Sequence, residues 1–339
     1  MKFFAKLLFL LLVNHSILAA NDPYQQGKAY YYGDTVEQDY NKAFDIFSHA
    51  QKIGNLEAQT ALGLMHIEGK GTVQNDKKGF QLLKKSAENN HAKAQYDLGS
   101  MYYLGIGNQR DLKRAFKWIK KSAEQGYADA KQNLALMYDQ GKGVKQNSKL
   151  AERWFLASAK SGNADAQYRT AKSYVNTDDK EAIYWFLQSA EQGNINAQYQ
   201  LARLYSQNVR KNYDAAFKWY KKSYDNGNNQ AAYALANLYD QGLGVEQDYQ
   251  KSHKLYLQAL KQGSIKAGLD IARHYEKAQG VKKNLNKAYQ FTITAARKGY
   301  KDAQAKVIQM YLYGTGVEKS TNKARYWLGK ITRKKAVKT

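Results

Sequence analysis

The stretch from Met137 to Val144, MYDQGKGV, brackets a lysine with two glycines. Such a pattern can cradle a phosphate through backbone N–H groups, or it can simply close a turn. A phosphate loop would occur once and carry its own signature, yet neither Gly-x-x-x-x-Gly-Lys-Ser/Thr nor Gly-x-Gly-x-x-Gly is present. Other reactive side chains are dispersed. His49, His66, His91, His253 and His274 form no His-Glu-x-x-His and no i, i+4 pair, so they read as scattered and predict no metal site. Asp178-Asp179 sits in a loop and reads as a helix cap rather than as a general acid and base. There is no Gly-x-Ser-x-Gly elbow. The absence of cysteine removes thiol catalysis, thiolate metal sites, disulfides and a lipid-modified cysteine. No cofactor is implied. A hydrolase would need groups assembled from distant parts of the chain and is the less favoured reading.

Chemistry-poor sequences are often repeat-rich, and segments like MYDQGKGV return at nearly constant spacing. The frame is 36 residues. AQTALGLMHIEGKGT starts at Ala58, AQYDLGSMYYLGIGN at Ala94, AKQNLALMYDQGKGV at Ala130, AAYALANLYDQGLGV at Ala231 and AQAKVIQMYLYGTGV at Ala303. Degenerate copies begin at Ala166, Ala197 and Ala267, and an opening copy begins at Asp22, which makes nine repeats. One proline, 25 glycines and 28 tyrosines among many Ala, Lys, Gln and Asn describe helices punctuated by glycine turns.

Each repeat divides into two amphipathic helices. In the first half, helix A, small or apolar residues recur at helical spacing, as with Ala94, Leu98, Gly99, Met101 and Tyr102. In the second, helix B, Ala115, Phe116, Trp118, Ile119 and Ala123 form an apolar stripe flanked by Lys117, Lys120 and Lys121. Both helices end at a glycine, the residue suited to a left-handed cap. The second glycine of each Gly-x-Gly pair is expected to let the loop turn tightly and tuck its valine against the pair. Trp118, Trp154, Trp185, Trp219 and Trp327 share one repeat position, and Tyr102, Tyr138, Tyr174, Tyr205, Tyr239, Tyr275 and Tyr311 share another. That regularity predicts core packing rather than a stacking platform. Tyr103, Leu104, Leu312 and Tyr313 are less regular and are secondary candidates for a binding surface.

The pattern Ala-x-x-x-Leu-Gly-x-Met-Tyr-x-x-Gly-x-Gly-Val, then Lys-Ala-x-x-Trp-x-x-Lys-Ser-Ala-Glu-Gln-Gly, resembles the Sel1-like repeat, a relative of the tetratricopeptide repeat. Ala94 to Asp129 carries Leu98-Gly99, Met101-Tyr102, Gly105, Gly107, Ala115, Trp118 and Lys121 to Gly126 of it, departing only at Asn108. The resemblance covers nearly all of residues 22–330. It implies an all-α, right-handed superhelical solenoid of about nine helix-turn-helix repeats, each burying its apolar face on its neighbours. It also implies a non-catalytic scaffold whose curved surface holds a protein or peptide. Cysteine-rich exported members linked to cell-wall compounds are a subgroup that this cysteine-free chain does not match.

Solenoids of this sort line their concave face with the solvent side of helix A. In this frame that face includes Asp97, Arg169, Lys172, Arg203 and Arg273, with Tyr103 beside it, and it becomes basic where Arg169, Lys172 and Arg203 cluster. Those residues could take an acidic partner segment or an anionic glycan, or they could be the solvated face of a lysine-rich protein. Two A–B loops are short: residues 175–181, VNTDDKE, and residues 206–215, SQNVRKNYDA. They mark either drift or a reshaped binding edge.

Residues 1–20 combine Lys2 and Lys6, an apolar run from Leu7 to Val13, and Ala19-Ala20 before Asn21, the pattern of a cleaved export signal. The formal charge is +24; Lys2 and Lys6 carry two of it, leaving +22 after cleavage. Such a balance predicts attraction to anionic polymers or surfaces, screened over about 8 Å at physiological salt. The expected organisation is therefore a leader at 1–20, a repeat array at 22–330 with repeats starting near 22, 58, 94, 130, 166, 197, 231, 267 and 303, and a basic tail at 331–339. The expected protein is exported, periplasmic or secreted, with no transmembrane segment after cleavage. The expected function is a bacterial envelope scaffold for a protein or peptide. The alternative is a binder of an anionic envelope polymer such as cell-wall glycan or lipopolysaccharide. Nucleic acid fits the charge but not export.

Overall fold

A computed structural model describes residues 22–207 and 211–336. The expected leader lies outside the described residues, as do the last three residues of the basic tail. The described chain is helical, with helices arranged in A–B pairs. They are α1 (Pro23–Tyr32) and α2 (Tyr40–Lys52), α3 (Leu56–Glu68) and α4 (Asp76–Glu88), α5 (Ala92–Leu104) and α6 (Leu112–Glu124), and α7 (Ala128–Gln140) and α8 (Ser148–Lys160). There follow α9 (Ala164–Tyr174) and α10 (Asp179–Glu191), α11 (Ile195–Gln207) and α12 (Tyr213–Asp225), and α13 (Ala231–Gln241) and α14 (Tyr249–Lys261). The last are α15 (Ile265–Lys277) and α16 (Leu285–Arg297), then α17 (Lys301–Tyr313) and α18 (Thr321–Ala336). Residues 331–336 thus continue α18. Two compact halves divide the chain, Met1–Thr170 and Ala171–Thr339. From α1 to α8, and again from α10 to α18, each helix packs on the next.

Local sequence explains where each helix begins. An Asp or Asn precedes every B helix from α2 to α16, and its side chain accepts a backbone N–H two or three residues on; Asn147 takes Leu150 N at 3.0 Å and Asp111 takes Arg114 N at 2.9 Å. Each such bond satisfies one of the donors that the first turn leaves unpaired. Asp178 is one of these caps, accepting from Lys180 N at 3.0 Å and Glu181 N at 3.2 Å. The short loop before it closes with Asn176 in the left-handed region at φ 71°.

The two glycines of MYDQGKGV have different jobs. Gly141, at φ 67°, is the left-handed cap of α7, and its N–H returns to Met137 O. Gly143 is also left-handed, at φ 73°, but it is constrained by its neighbour: a Cβ there would sit 2.0 Å from Leu112 O, at the start of helix B one repeat earlier. The second glycine therefore lets one repeat's loop lie directly on the previous repeat, an inter-repeat role beyond the tight turn that the spacing predicts.

The remaining motif residues also join helices. Ser122 of Lys-Ser-Ala donates to Ala92 O at 2.6 Å, tying α6 to the first turn of α5. Gln95, 1 % exposed, donates to Ala87 O at 3.2 Å, tying repeat three to repeat two; Gln198 and Gln304 do likewise with Ala190 O and Ala296 O. Phe116 of α6 meets Tyr138 of α7 edge-on at 5.3 Å, and Phe80–Tyr102 and Phe217–Tyr239 repeat the contact at the same distance. The repeated tyrosines are thus packing groups. Trp185, Trp219 and Trp327 are buried, while Trp118 is half-buried beneath Lys121.

Candidate functional site

Successive A helices leave space between them. In the first compact half, α5 and α7, floored by Ile119 of α6, enclose a cavity of about 520 Å³. Tyr96, Tyr103, Leu104, Leu136 and Met137 give it an apolar wall, with Ser100, Asn133, Gln140 and Lys142 as its polar groups. The wall is held in place by hydrogen bonds: Asn133 Nδ2 donates to Tyr96 Oη at 3.0 Å, and Lys142 Nζ donates to Tyr103 Oη at 2.6 Å. Leu104 is 62 % exposed at the rim. A similar, smaller cavity of about 110 Å³ lies two repeats earlier, where Tyr24, Tyr31, Phe47 and Leu64 stand at the positions of Tyr96, Tyr103, Ile119 and Leu136. Together these are concave apolar sites with a few placed polar groups, the usual construction of a ligand site.

The residues proposed from sequence are placed as follows. Tyr103 lines the larger cavity. Asp97, on the same helix, has a side chain only 14 % exposed; burial pushes its carboxyl up, against the pull of Lys93 at 2.8 Å. Arg169 is exposed, with its guanidinium 5.1 Å from the ring centre of Phe155, and belongs to the first compact half. Lys172 and Arg203 belong to the second; Lys172 is exposed and Arg203 half-buried, with a buried Nε that has no hydrogen-bond partner. Arg273 is committed to its own chain. It donates to Asp240 at 2.6 Å and to Gln279 at 2.8 Å, and stands 3.4 Å from Asp270.

Arg273 also corrects the reading of the histidines as scattered. Helices α13, α14 and α15 bring His253, His274 and Asp240 together: His274 Nε2 meets Asp240 Oδ1 at 2.7 Å, and the two Nδ1 atoms lie 3.3 Å apart. Burial holds both imidazoles below the usual range; for His253 the nearby His274 and Lys287 add to it, down to about 4, while for His274 Asp240 opposes it. With both rings neutral, Asp240 accepts the Nε2 proton of His274, whose Nδ1 then accepts from His253 Nδ1–H. The contact is invisible to an i, i+4 search because the two histidines lie on different helices. Among the described residues no group of three His, Asp or Glu side chains is arranged to hold a metal ion, and no helix is long and apolar enough to cross a membrane.

The helix A frame puts Asn133 and Leu136 on the same face as Asp97, but it does not reach Lys142, which lies in the loop after α7. Tyr103 and Lys142 are 39 residues apart and meet only because adjacent repeats stack. The recurrence of Tyr24 and Tyr31 as Tyr96 and Tyr103 was the available signal.

Paired helices, left-handed glycine caps and stacking of successive repeats define an α-helical repeat protein. The chain belongs to the Sel1 repeat family: the Sel1 repeat model matches residues 24–50, 56–91, 92–127, 128–163, 164–194, 195–228, 229–264, 267–300 and 302–334. No curated protein matches it. Among solved structures, it is similar to a protective antigen present in uropathogenic Escherichia coli strains, at 29% identity and a TM-score of 0.58 over 90% of this chain and 74% of that one. It is also similar to a Sel1 repeat protein from Oxalobacter formigenes, at 28% identity and a TM-score of 0.57 over 70% of this chain and 99% of that one. Proteins of this family are generally non-catalytic scaffolds for other proteins.

Proposed function

We propose that this chain is an exported, non-catalytic scaffold of a bacterial cell envelope that holds a protein or peptide along the exposed sides of its A helices. The observation that carries the reading is the pair of equivalent cavities between successive A helices, with Tyr96 and Tyr103 in one and Tyr24 and Tyr31 in the other. A surface held by stacked repeats binds without large rearrangement, so charge sets the rate of encounter and a few buried side chains set affinity. Export rests on the Lys2-to-Ala20 pattern. It is tested by sequencing the N-terminus of protein released by osmotic shock from the source cells; a mature chain starting at Asn21 is expected, and a chain retaining Met1 in the cytoplasm removes the envelope role.

The scaffold itself is tested by a photo-crosslinking residue at Ser100, at Arg203 or, as control, at Lys121 of α6. A discrete protein adduct from Ser100 or Arg203 and none from Lys121 is expected. Equal labelling at all three, or none, favours the second reading, an anionic envelope polymer drawn by the net charge. The Lys120-Lys121 and Lys221-Lys222 pairs of helix B lend that reading little support, because they make contacts within the chain. Lys120 pairs with Glu124 at 3.5 Å and Lys221 with Asp225 at 2.6 Å, while Lys121 and Lys222 lie over Trp118 and Trp219 at 4.8 and 5.0 Å.

A further inference from the structure

The two equivalent cavities differ at several residues, Lys28 against Ser100 and Phe47 against Ile119 among them, and one difference, Glu68 against Gln140, bears on charge. Beside the smaller cavity, the carboxylate of Glu68 accepts from the Tyr31 hydroxyl at 2.8 Å and pairs with the Lys70 ammonium at 2.8 Å. Lys70 in turn donates to Tyr31 at 3.2 Å, so a lysine, a phenol and a carboxylate close on one another. Two repeats on, Tyr103 and Lys142 repeat the phenol and the ammonium, bonded at 2.6 Å, but Gln140 stands where Glu68 stood. A second cation gathers at the same ring: Arg110 lies 5.7 Å from the Tyr103 centre and Lys142 5.3 Å from it. Among the described residues, neither Lys142 nor Arg110 has a carboxylate within ion-pair distance. Arg110 Nε donates to Tyr103 O at 3.0 Å, whereas Lys142 lines the predominantly apolar cavity of about 520 Å³ with no carboxylate partner.

We infer that the cavity between α5 and α7 takes an extended peptide segment of a partner protein, in which an acidic side chain or terminal carboxylate lies next to a large apolar one. The carboxylate plays the part that Glu68 plays in the smaller cavity, entering beside Gln140 and accepting from Lys142 Nζ and Tyr103 Oη. The apolar side chain fills the space between Tyr96, Leu104 and Leu136. Charge complementarity fixes the first feature, because the chain itself shows which group completes the lysine–phenol pair. The apolar wall, with Leu104 exposed at its rim, fixes the second. A peptide suits the site better than a small acid because an equivalent apolar cavity lies two repeats along the same compact half. This inference rests on the scaffold reading and gives its partner a chemistry.

The test selects random twelve-residue peptides displayed on phage against the full chain, then measures the synthetic winners by fluorescence anisotropy. Winners with Asp or Glu beside Leu, Phe, Tyr or Trp are expected. Gln140→Glu, which rebuilds the Glu68 arrangement from within, and Lys142→Gln should each weaken them about tenfold or more, the range of a charge-assisted pair. Lys117→Gln removes the same charge from the exposed side of α6, away from both cavities, and should leave affinity within about twofold. Circular dichroism melts check that each variant stays folded. Equal weakening by Lys117→Gln and Lys142→Gln would overturn the site in favour of diffuse attraction. Winners indifferent to Gln140→Glu and Lys142→Gln would overturn it too, leaving the scaffold reading standing with its site elsewhere. Binding of N-acetyl-leucine as tight as that of the peptides would replace the peptide by a small acid. No peptide above background would remove the scaffold reading and this inference with it.

Discussion

His253 and Asp240 decide how the second compact half responds to acid. The buried imidazole of His253 titrates at about 4 in the folded chain and at 6.5 when unfolded, so between those values the unfolded chain binds more protons. Its contribution is therefore fully present above about pH 6.5 and is lost as pH falls toward 4, by roughly 2 kcal/mol. His274, which Asp240 and Arg273 face from the other side, is shifted in the same direction. The caps Asp39 and Asp248, whose carboxyls backbone N–H groups hold below the usual range, lose their share at lower pH still. Urea midpoints at pH 7.5 and 4.5 should accordingly converge in His253→Gln relative to the unaltered chain; an unchanged gap would mean that His253 is already charged. Asp240→Asn strips the carboxylate from Arg273 and from His274 at once and should cost about 3 kcal/mol at pH 7. None of this was legible in the sequence, where Asp240, His253 and His274 carry no common motif. They meet because α13, α14 and α15 pack side by side.

Helices, by contrast, were legible almost to the residue, because their signals are local. Glycine after the last apolar position marked the A-helix ends, and Ala278 shows what happens without it: that residue caps α15 at φ 56°. Ala278→Gly should relieve roughly 1 kcal/mol of left-handed strain and raise the melting temperature; a lower one would mean that the alanine methyl is packed. Gly143→Ala should do the opposite, costing about 3 kcal/mol or more, since the added Cβ meets the Leu112 carbonyl and the backbone is left-handed as well. Losing the Asn147 cap through Asn147→Ala should cost only about 1 kcal/mol. The order of these losses, read by denaturant titration, separates an inter-repeat contact from a local cap. Sequence spacing alone could not rank them, because Gly141 and Gly143 look alike until Leu112 is placed against the second.

Within each compact half the described helices pack mainly on the next helix in sequence, so damage should stay local. Hydrogen exchange in Gly143→Ala should lose protection over residues 92–163 while residues 267–330 keep theirs; loss along the whole chain would mean a single cooperative unit. The sequence by itself determined that the chain is a helical repeat array, which glycines end its A helices, and that its repeat-position tyrosines and tryptophans belong to the packing. Each of these follows from spacing within one period and from caps within one turn. Only the tertiary structure decided which side chains of different repeats meet. Tyr103 with Lys142, Asp240 with Arg273 and His253 with His274 lie 39, 33 and 21 residues apart, on different elements. Their partnership depends on how one repeat lies on the next, and a residue's position in the period says nothing of the charge its neighbour carries.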